Sequence, residues 1–202
     1  MNYLAHLFLA KNTPESQIGN LLGDFVKGYL EQYETIYSHE IIQGIKTHRQ
    51  VDCFTDTHPI FLRSKNRISN SHRRLAGIII DICYDHFLAN HWNLFAHETH
   101  ENLDVFVQKI YIILQKNQEI LPEKLQKILP KIISENWLTS YKNLSGINLT
   151  FVRLSKRLKR ENNLATAGNE LIKNYTEIES DFLIFFPEVI NYVKNLSNIK
   201  SG

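Results

Sequence analysis

The sequence predicts an all-α protein, folded as an irregular helical bundle in a single domain. Apolar residues recur at spacings of three and four along most of the chain, which is the period of an amphipathic helix. Only 8 Gly and 5 Pro occur among 202 residues, so signals for tight turns are few. No segment shows the alternating pattern of a strand beside a hairpin turn. We therefore expect one all-helical domain over residues 1–198 and a frayed tail over residues 199–202.

Each helix is predicted from its own periodicity and end signals. The predicted helices cover residues 2–10, 15–29, 38–57, 59–70, 73–95, 103–117, 122–141, 147–160, 164–185 and 187–196. The first is short and apolar and is broken near Pro14. Thr13 is suited to cap the second, because its hydroxyl accepts a hydrogen bond from a free N–H of the first turn. The third ends before Pro59, since the residue before a proline avoids the helical conformation. The fifth has a continuously apolar centre from Ile78 to Ile80, which indicates burial.

Charge and cysteine content exclude several classes of protein. Lys and Arg number 23 against 21 Asp and Glu, and this small excess is far below that of a nucleic-acid-binding domain. The two cysteines, Cys53 and Cys83, form no disulfide framework in a chain of this size and are expected to be reduced. No basic leader is present, and no apolar run approaches the roughly 18–20 residues that span a bilayer. We expect a cytoplasmic protein.

Acidic and histidine residues form two clusters, over residues 48–56 and 81–86, in segments predicted to be helical. In the first cluster, His48, Asp52 and Asp56 recur every four residues and so lie along one helix face. In the second, Asp81 and Asp85 share the same spacing. Carboxylates stacked on one face repel each other unless solvent or a cation neutralises them. Two such faces turned inward would form a cage for a divalent metal.

A candidate ligand set follows when Asp24, which lies among apolar residues of the second predicted helix, is added. The candidate catalytic residues and metal ligands are Asp24, His48, Asp52, Asp81, Asp85 and His86. Carboxylates with imidazoles suit Mn²⁺, Mg²⁺ or Fe²⁺ better than a structural zinc ion held by thiolates. His6 is either a further ligand or a helix-end residue, and Asp56 either orients a histidine or faces solvent. One ion and two ions both fit this pattern.

Basic residues supply candidates for binding phosphate and an acidic partner. The candidate phosphate ligands are Arg49, Arg73 and Arg74, because a guanidinium fork matches phosphate oxygens. The candidate docking residues are Arg153, Lys156, Arg157 and Arg160, which would share one face of the predicted helix over residues 147–160. That face is either merely solvated or a surface on which an acidic partner docks.

Short motifs in a fixed order give the chain a family resemblance. They are Asn2–Leu7, Gly19–Val26, Gly44–Ile45, His48–Asp52, Phe54–Asp56, Arg73–Arg74, Asp81, Asp85–Leu88, Trp92, Trp137–Leu138, Tyr141 and Phe185–Pro187. In this combination and spacing they resemble the acyl carrier protein phosphodiesterases over nearly the whole chain.

The resemblance implies an enzyme that removes the 4′-phosphopantetheine arm from holo-acyl carrier protein and regenerates the apo form. It also implies an all-helical fold like that of the HD phosphohydrolases and a divalent metal, typically Mn²⁺. By the same resemblance, the six candidate ligands carry the metal chemistry. The order Asp85-His86 differs from the usual His-Asp pair of the HD enzymes, so the individual ligands are not fixed by it.

Two other classes of function fit parts of the sequence. An HD-type nucleotide phosphohydrolase would use the same metal ligands on free nucleotides. A non-catalytic helical binding module would use the acidic clusters as a cation site. Nothing in the sequence indicates the oligomeric state.

Overall fold

The structure, a computed structural model, describes residues 1–96 and 101–199, with side chains up to residue 196. In these residues the chain forms twelve α-helices and four short 3-10 turns and no strand, which confirms the all-α prediction. The helices are α1 (Tyr3–Leu9), α2 (Pro14–Leu22), α3 (His39–Thr57), α4 (Pro59–Arg67), α5 (Ala76–Asn90), α6 (Trp92–Phe95), α7 (Leu103–Lys116), α8 (Glu123–Ser134), α9 (Trp137–Ser140), α10 (Leu144–Ser155), α11 (Gly168–Lys173) and α12 (Tyr175–Ile199). Residues 200–202 of the predicted frayed tail lie outside the described part.

Several predicted helices are too long. The helix predicted over residues 73–95 divides into α5 and α6, and the one predicted over residues 164–185 divides into a 3-10 turn, α11 and the start of α12. The helix predicted over residues 15–29 ends at Leu22, and residues 23–37 form a connection with one 3-10 turn. The prediction over residues 122–141 divides into α8 and α9 at Asn136, whose φ of 45° is left-handed and interrupts the helix. The prediction over residues 147–160 ends at Ser155. None of the helices in the described residues combines the length and apolar character needed to cross a bilayer.

The C-terminal helix differs from the prediction in the opposite sense. Helix α12 continues through Pro187, where the sequence predicts a break between two helices. A proline inside a helix removes one hydrogen bond and strains the preceding turn. Here Phe185, Phe186 and Val189 are fully buried on both sides of the proline, so packing of both halves outweighs that cost.

Helix α5 is the central helix of the bundle. Of its 15 residues, 11 are buried, as its continuously apolar centre predicts. Tyr84 packs edge-on against Phe182 of α12 with ring centroids 5.3 Å apart, and Phe185 lies 5.5 Å from the same ring. Because α5 contacts α1, α4, α10 and α12, the residues at its polar positions have fixed directions within the core.

Helices α2 and α3 cross in backbone contact at two glycines. A Cβ atom on Gly44 would lie 2.8 Å from Gly19 Cα and 2.9 Å from the Ser16 carbonyl oxygen, so no larger residue fits without a shift. This close approach brings the carbonyl oxygen of Asn20 to 2.7 Å from His48 Nδ1. The glycine pair therefore sets the position of His48.

A buried carboxylate fixes the N-terminal helix. Asp85, which is fully buried on α5, accepts hydrogen bonds from the backbone N–H groups of Leu4 (2.9 Å) and Ala5 (3.0 Å). The N-cap residue Asn2 makes no side-chain cap bond, so Asp85 satisfies these free N–H groups in its place. Burial raises the pKa of Asp85 to about 7, and the two hydrogen bonds oppose that rise. Asp85 thereby sets the direction in which His6 leaves α1.

The glycine crossing predicts a stability difference between two Gly→Ala variants. Gly44→Ala should lower the free energy of unfolding by about 2 kcal/mol, because its methyl group overlaps the backbone of α2. Gly77→Ala is the matched control on α5, since a Cβ there meets nothing within 4 Å. It should leave stability unchanged or raise it by up to about 1 kcal/mol. Urea unfolding followed by circular dichroism measures both; equal midpoints would contradict the close crossing.

The capping role of Asp85 predicts that Asp85→Asn destabilises the protein by about 1–3 kcal/mol. The new amide NH₂ group would face one of the two backbone N–H groups, donor against donor. Both donors would then be buried without an acceptor. Asp104→Asn is the control, because Asp104 is exposed on α7 and pairs only loosely with Lys142 at 3.5 Å. Thermal unfolding of the two variants decides the matter. A melting temperature of Asp85→Asn equal to that of the control would rule out the cap.

Candidate metal centre

The side chains of α1 and α3 meet in a cluster of two histidines and an aspartate. Metal-binding atoms of His6, His48 and Asp52 all lie within 4.8 Å of one another. Asp52 Oδ1 is 3.1 Å from His6 Nε2, and Asp52 Oδ2 is 3.0 Å from His48 Nε2. The two imidazoles stack with centroids 3.7 Å apart. One carboxylate therefore bridges two parallel imidazole rings.

The hydrogen bond at Nδ1 fixes the chemistry of His48. A carbonyl oxygen only accepts, so Nδ1 carries the hydrogen and donates it to Asn20. In the neutral ring, Nε2 then presents a lone pair towards Asp52 and towards Asp24 Oδ1, which lies 3.7 Å away. Lone pairs that face each other need a proton or a cation between them. The donor set of imidazole nitrogens and carboxylate oxygens fits a divalent cation.

Gly23 makes room for this arrangement. A Cβ on Gly23 would lie 2.1–2.6 Å from three atoms of the His48 ring, so the backbone after α2 passes directly over the imidazole. The next residue, Asp24, is carried to the open side of the cluster, where its side chain is 43 % exposed. Gly23 has helical backbone angles (φ −52°, ψ −34°), so Asp24 follows the course of α2 to this position.

The protonation states suit a metal ligand set at neutral pH. Burial lowers the pKa of His6 to about 3, so its imidazole is neutral. Burial alone would raise the pKa of Asp52, but hydrogen bonds with both histidines outweigh it and hold the pKa well below its usual range. Asp81 lies on the far side of the cluster. Its Oδ1 forms an ion pair with the α-amino group of Met1 at 3.0 Å. Burial raises the pKa of Asp81, and this positive charge opposes the rise.

Five of the candidate residues lie at or beside the cluster. They are His6, Asp24, His48, Asp52 and Asp81. Asp56 is exposed one turn beyond Asp52 and is close enough to raise the pKa of Asp81. His6, a second-rank candidate in the sequence, makes closer contact with Asp52 than Asp24 does with His48.

Asp85 and His86 are not brought to the cluster as free ligands. Both oxygens of Asp85 accept backbone N–H groups of α1, so it is a helix cap in this fold. His86 follows it on α5 and therefore points about 100° away. Its Nδ1 lies 2.7 Å from the Tyr141 carbonyl oxygen, and its Nε2 lies 3.0 Å from the Tyr175 hydroxyl. His86 thus joins α5 to the C-terminal part of the bundle.

The three arginines expected to bind phosphate have other surroundings. Arg49 donates to the carbonyl oxygens of Gly28 (2.8 Å) and Val26 (3.0 Å) and so holds the connection after α2. Arg73 donates to the Lys65 carbonyl oxygen (3.0 Å) at the end of α4. Arg74 is exposed in the 3-10 turn that precedes α5. Arg49 and Arg73 therefore have structural partners, which the sequence pattern did not reveal.

The basic stretch is arranged differently from the prediction. Because α10 ends at Ser155, Lys156, Arg157 and Arg160 leave the helix and do not share one helical face with Arg153. Arg153 pairs with Glu135, and its guanidinium lies 4.2 Å from the centre of the Trp137 ring. The Arg157 guanidinium lies 5.3 Å from the same ring.

Arg157 also reaches the edge of the metal cluster through Tyr3. Burial raises the pKa of Tyr3 to about 12; the Asp24 charge adds to this rise, and Arg157 opposes it through charge and hydrogen bonding. Tyr3 also stacks on Phe25, next to Asp24, with ring centroids 6.3 Å apart. Tyr3 is therefore close enough to both Asp24 and Arg157 to feel their charges, at the rim of the cluster.

Comparison with known proteins places the whole chain in one family. The family profile described as "Acyl carrier protein phosphodiesterase" matches residues 1–189. A protein of that name from Photorhabdus laumondii is 33 % identical over 195 residues, covering 96 % of both chains. Proteins of the same name from Serratia proteamaculans (34 % identical; 96 % of this chain and 98 % of the relative) and Escherichia coli (30 %; 94 % and 96 %) are also similar. No solved structure matches. The chain belongs to the acyl carrier protein phosphodiesterase family.

Proposed function

We propose that this protein is a metal-dependent phosphodiesterase that hydrolyses the bond between 4′-phosphopantetheine and holo-acyl carrier protein, leaving the apo carrier. Family membership supports the class of enzyme, a hydrolase of phosphodiester bonds, and the carrier as its substrate. The observation that carries the metal dependence is the convergence of His6, His48 and Asp52, whose metal-binding atoms all lie within 4.8 Å of one another, with Asp24 Oδ1 3.7 Å from His48 Nε2. Mn²⁺ is the proposed ion, with Mg²⁺ or Fe²⁺ as alternatives.

The bond and the residues at the centre are chemically matched. Hydrolysis of a phosphodiester needs an activated water and compensation of the negative charge on the phosphate oxygens. A divalent cation held by His6, His48 and Asp52 would supply both as a Lewis acid. Asp52 remains ionised and His6 uncharged, so at neutral pH the centre has a negative charge to attract a cation and no imidazolium at His6 to repel it. Asn20 holds the His48 ring in the correct tautomer.

The remaining polar groups would handle the proton and the phosphate. Asp24 is the exposed carboxylate nearest to His48 and is placed to accept a proton from water. Tyr3 keeps its hydroxyl proton up to about pH 12, so it can donate a hydrogen bond to a phosphate oxygen or to the departing serine oxygen. Arg157 lies beside Tyr3 and offers a guanidinium fork for the phosphate. We assign it this role in place of Arg49 and Arg73, whose guanidinium groups hold backbone carbonyls.

The first test uses purified protein, holo-acyl carrier protein and Mn²⁺, with mass spectrometry of the carrier. We expect conversion to the apo form, release of phosphopantetheine, and no conversion when EDTA replaces the metal. Asp52→Asn should bind Mn²⁺ at least about 100-fold more weakly and lose turnover, because losing a ligand costs more than losing its hydrogen-bond partner. Asp104→Asn, exposed on α7, is the matched control and should behave as the wild type.

Electron paramagnetic resonance of free Mn²⁺ measures the affinity separately from turnover. Wild-type affinity in Asp52→Asn would refute the metal centre. An unchanged carrier, incubated with wild-type protein that holds Mn²⁺, would refute the proposed reaction.

A second prediction concerns Arg157. Arg157→Ala should lower kcat/KM for the holo-carrier by about 10- to 100-fold, the size expected for a lost hydrogen bond to a charged group. Arg157→Lys should recover part of the loss, since it keeps the charge without the fork. The control is Arg160→Ala, because Arg160 is exposed three residues further on. Inhibition by inorganic phosphate, which needs no carrier docking, should weaken only in the Arg157 variants. Equal effects in Arg157→Ala and Arg160→Ala would indicate general charge attraction instead.

A further inference from the structure

A cavity of about 950 Å³ lies apart from the metal centre, between α1, α2, α6, α7 and α12. Phe8 and His6 are two residues apart on α1 and so point to nearly opposite sides of that helix. His6 faces the metal cluster and Phe8 lines the cavity. The cavity is therefore separated from the metal centre by about the width of one helix, roughly 10 Å.

The cavity has rigid apolar walls. Trp92 contacts Phe8 edge-on at 5.2 Å and Phe106 at 4.9 Å between ring centroids. Leu183 and Ile190 of α12 form the facing side. Protein interiors are normally close-packed, and apolar space left empty lowers stability. A space of this size falls within the range of volumes that ligand sites occupy.

One polar group inside the cavity lacks a partner. Gln17 lines the cavity and is 5 % exposed, and its Oε1 has no hydrogen-bond partner. A buried amide oxygen without a partner is costly, and most such groups in folded proteins are satisfied. Its Nε2 can donate to the oxygen of a carbonyl or carboxyl group, and its Oε1 can accept from the O–H of a carboxylic acid. Lys109, paired with Glu101, supplies charged groups among the lining residues.

We infer that this cavity binds a fatty acyl chain, with its carbonyl or carboxyl group at the Gln17 amide. The walls are aliphatic and aromatic, and the Gln17 amide, buried among the described lining residues, suits a ligand that has a single polar end. The same chain chemistry is available from two sources, a free fatty acid or the acyl group at the end of the carrier's arm. The carrier as source rests on the proposed function; binding of the chain itself does not.

The test is isothermal titration calorimetry of the purified protein with saturated fatty acids of eight to fourteen carbons. Affinity should rise about fourfold with each added methylene, because each buries further apolar surface. Leu183→Trp fills the cavity and should weaken binding at least tenfold. Its matched control is Ile184→Trp, since Ile184 is the next residue of α12 and is 50 % exposed. Ile190→Phe provides a second filling variant, and circular dichroism checks that each variant is folded.

Absence of binding in the wild type, or equal binding by folded Leu183→Trp and Ile184→Trp, would overturn the inference. When binding follows the expected pattern, turnover distinguishes the source. A raised KM of Leu183→Trp for decanoyl carrier but not for holo-carrier assigns the chain to the carrier, and equal values assign it to free fatty acid. Because calorimetry requires no turnover, an inactive protein that still binds fatty acids would refute only the proposed reaction.

Discussion

The hydrogen bonds between the Asp85 carboxylate and the first turn of α1 are the constraint on which the centre depends. Helix α1 has seven residues, too few to be stable alone, and its own N-cap side chain does not satisfy it. Asp85 reaches it from the most buried helix of the bundle, and so ties its position to the core. His6 meets Asp52 because α1 is held at that angle. The buried carboxylate of Asp85, which has a structural role, thus positions His6 at the candidate metal centre.

The second half of the centre depends on backbone contact at the α2–α3 crossing. Gly19 and Gly44 bring the two helices close enough for a carbonyl of α2 to reach His48. Gly23 then lets the chain turn over the imidazole and present Asp24. The carboxylates that result repel one another: besides burial, the charge of Asp52 raises the pKa of both Asp24 and Asp81. Unfavourable interactions between charges at closely packed positions are expected of a functional site.

The sequence predicts the helical class, the central buried helix and most members of the centre, because all three follow from spacing along a single helix. The four-residue repeat of His48 and Asp52 is of this kind. Asp85 caps α1 because its carboxylate oxygens meet the N-terminal N–H groups of that helix. The periodicity of α5 carries no information about such a contact between two helices. The sequence motif groups His86 with Asp85, but adjacent residues of a helix point in different directions, and His86 contacts Tyr141. The proposed role of Arg157 depends on where α10 ends and on the position of Tyr3, and the sequence pattern gives neither.

Pro187 lies inside α12, the longest helix of the described residues. Proline has no N–H, so the carbonyl of Leu183 has no donor four residues on, and the hydrogen-bond ladder of α12 is interrupted there. Before this point, Asp181 ties the helix to α4 through Arg63 and Arg67. Beyond it, Glu188 Oε2 lies 3.1 Å from Nε2 of His58, the N-cap residue of α4, and Tyr192 stacks on Phe54 of α3 with ring centroids 4.4 Å apart. The interruption lies where α12 borders the apolar cavity, so side-chain contacts on both sides of Pro187, in place of the missing backbone hydrogen bond, keep this wall of the cavity in position.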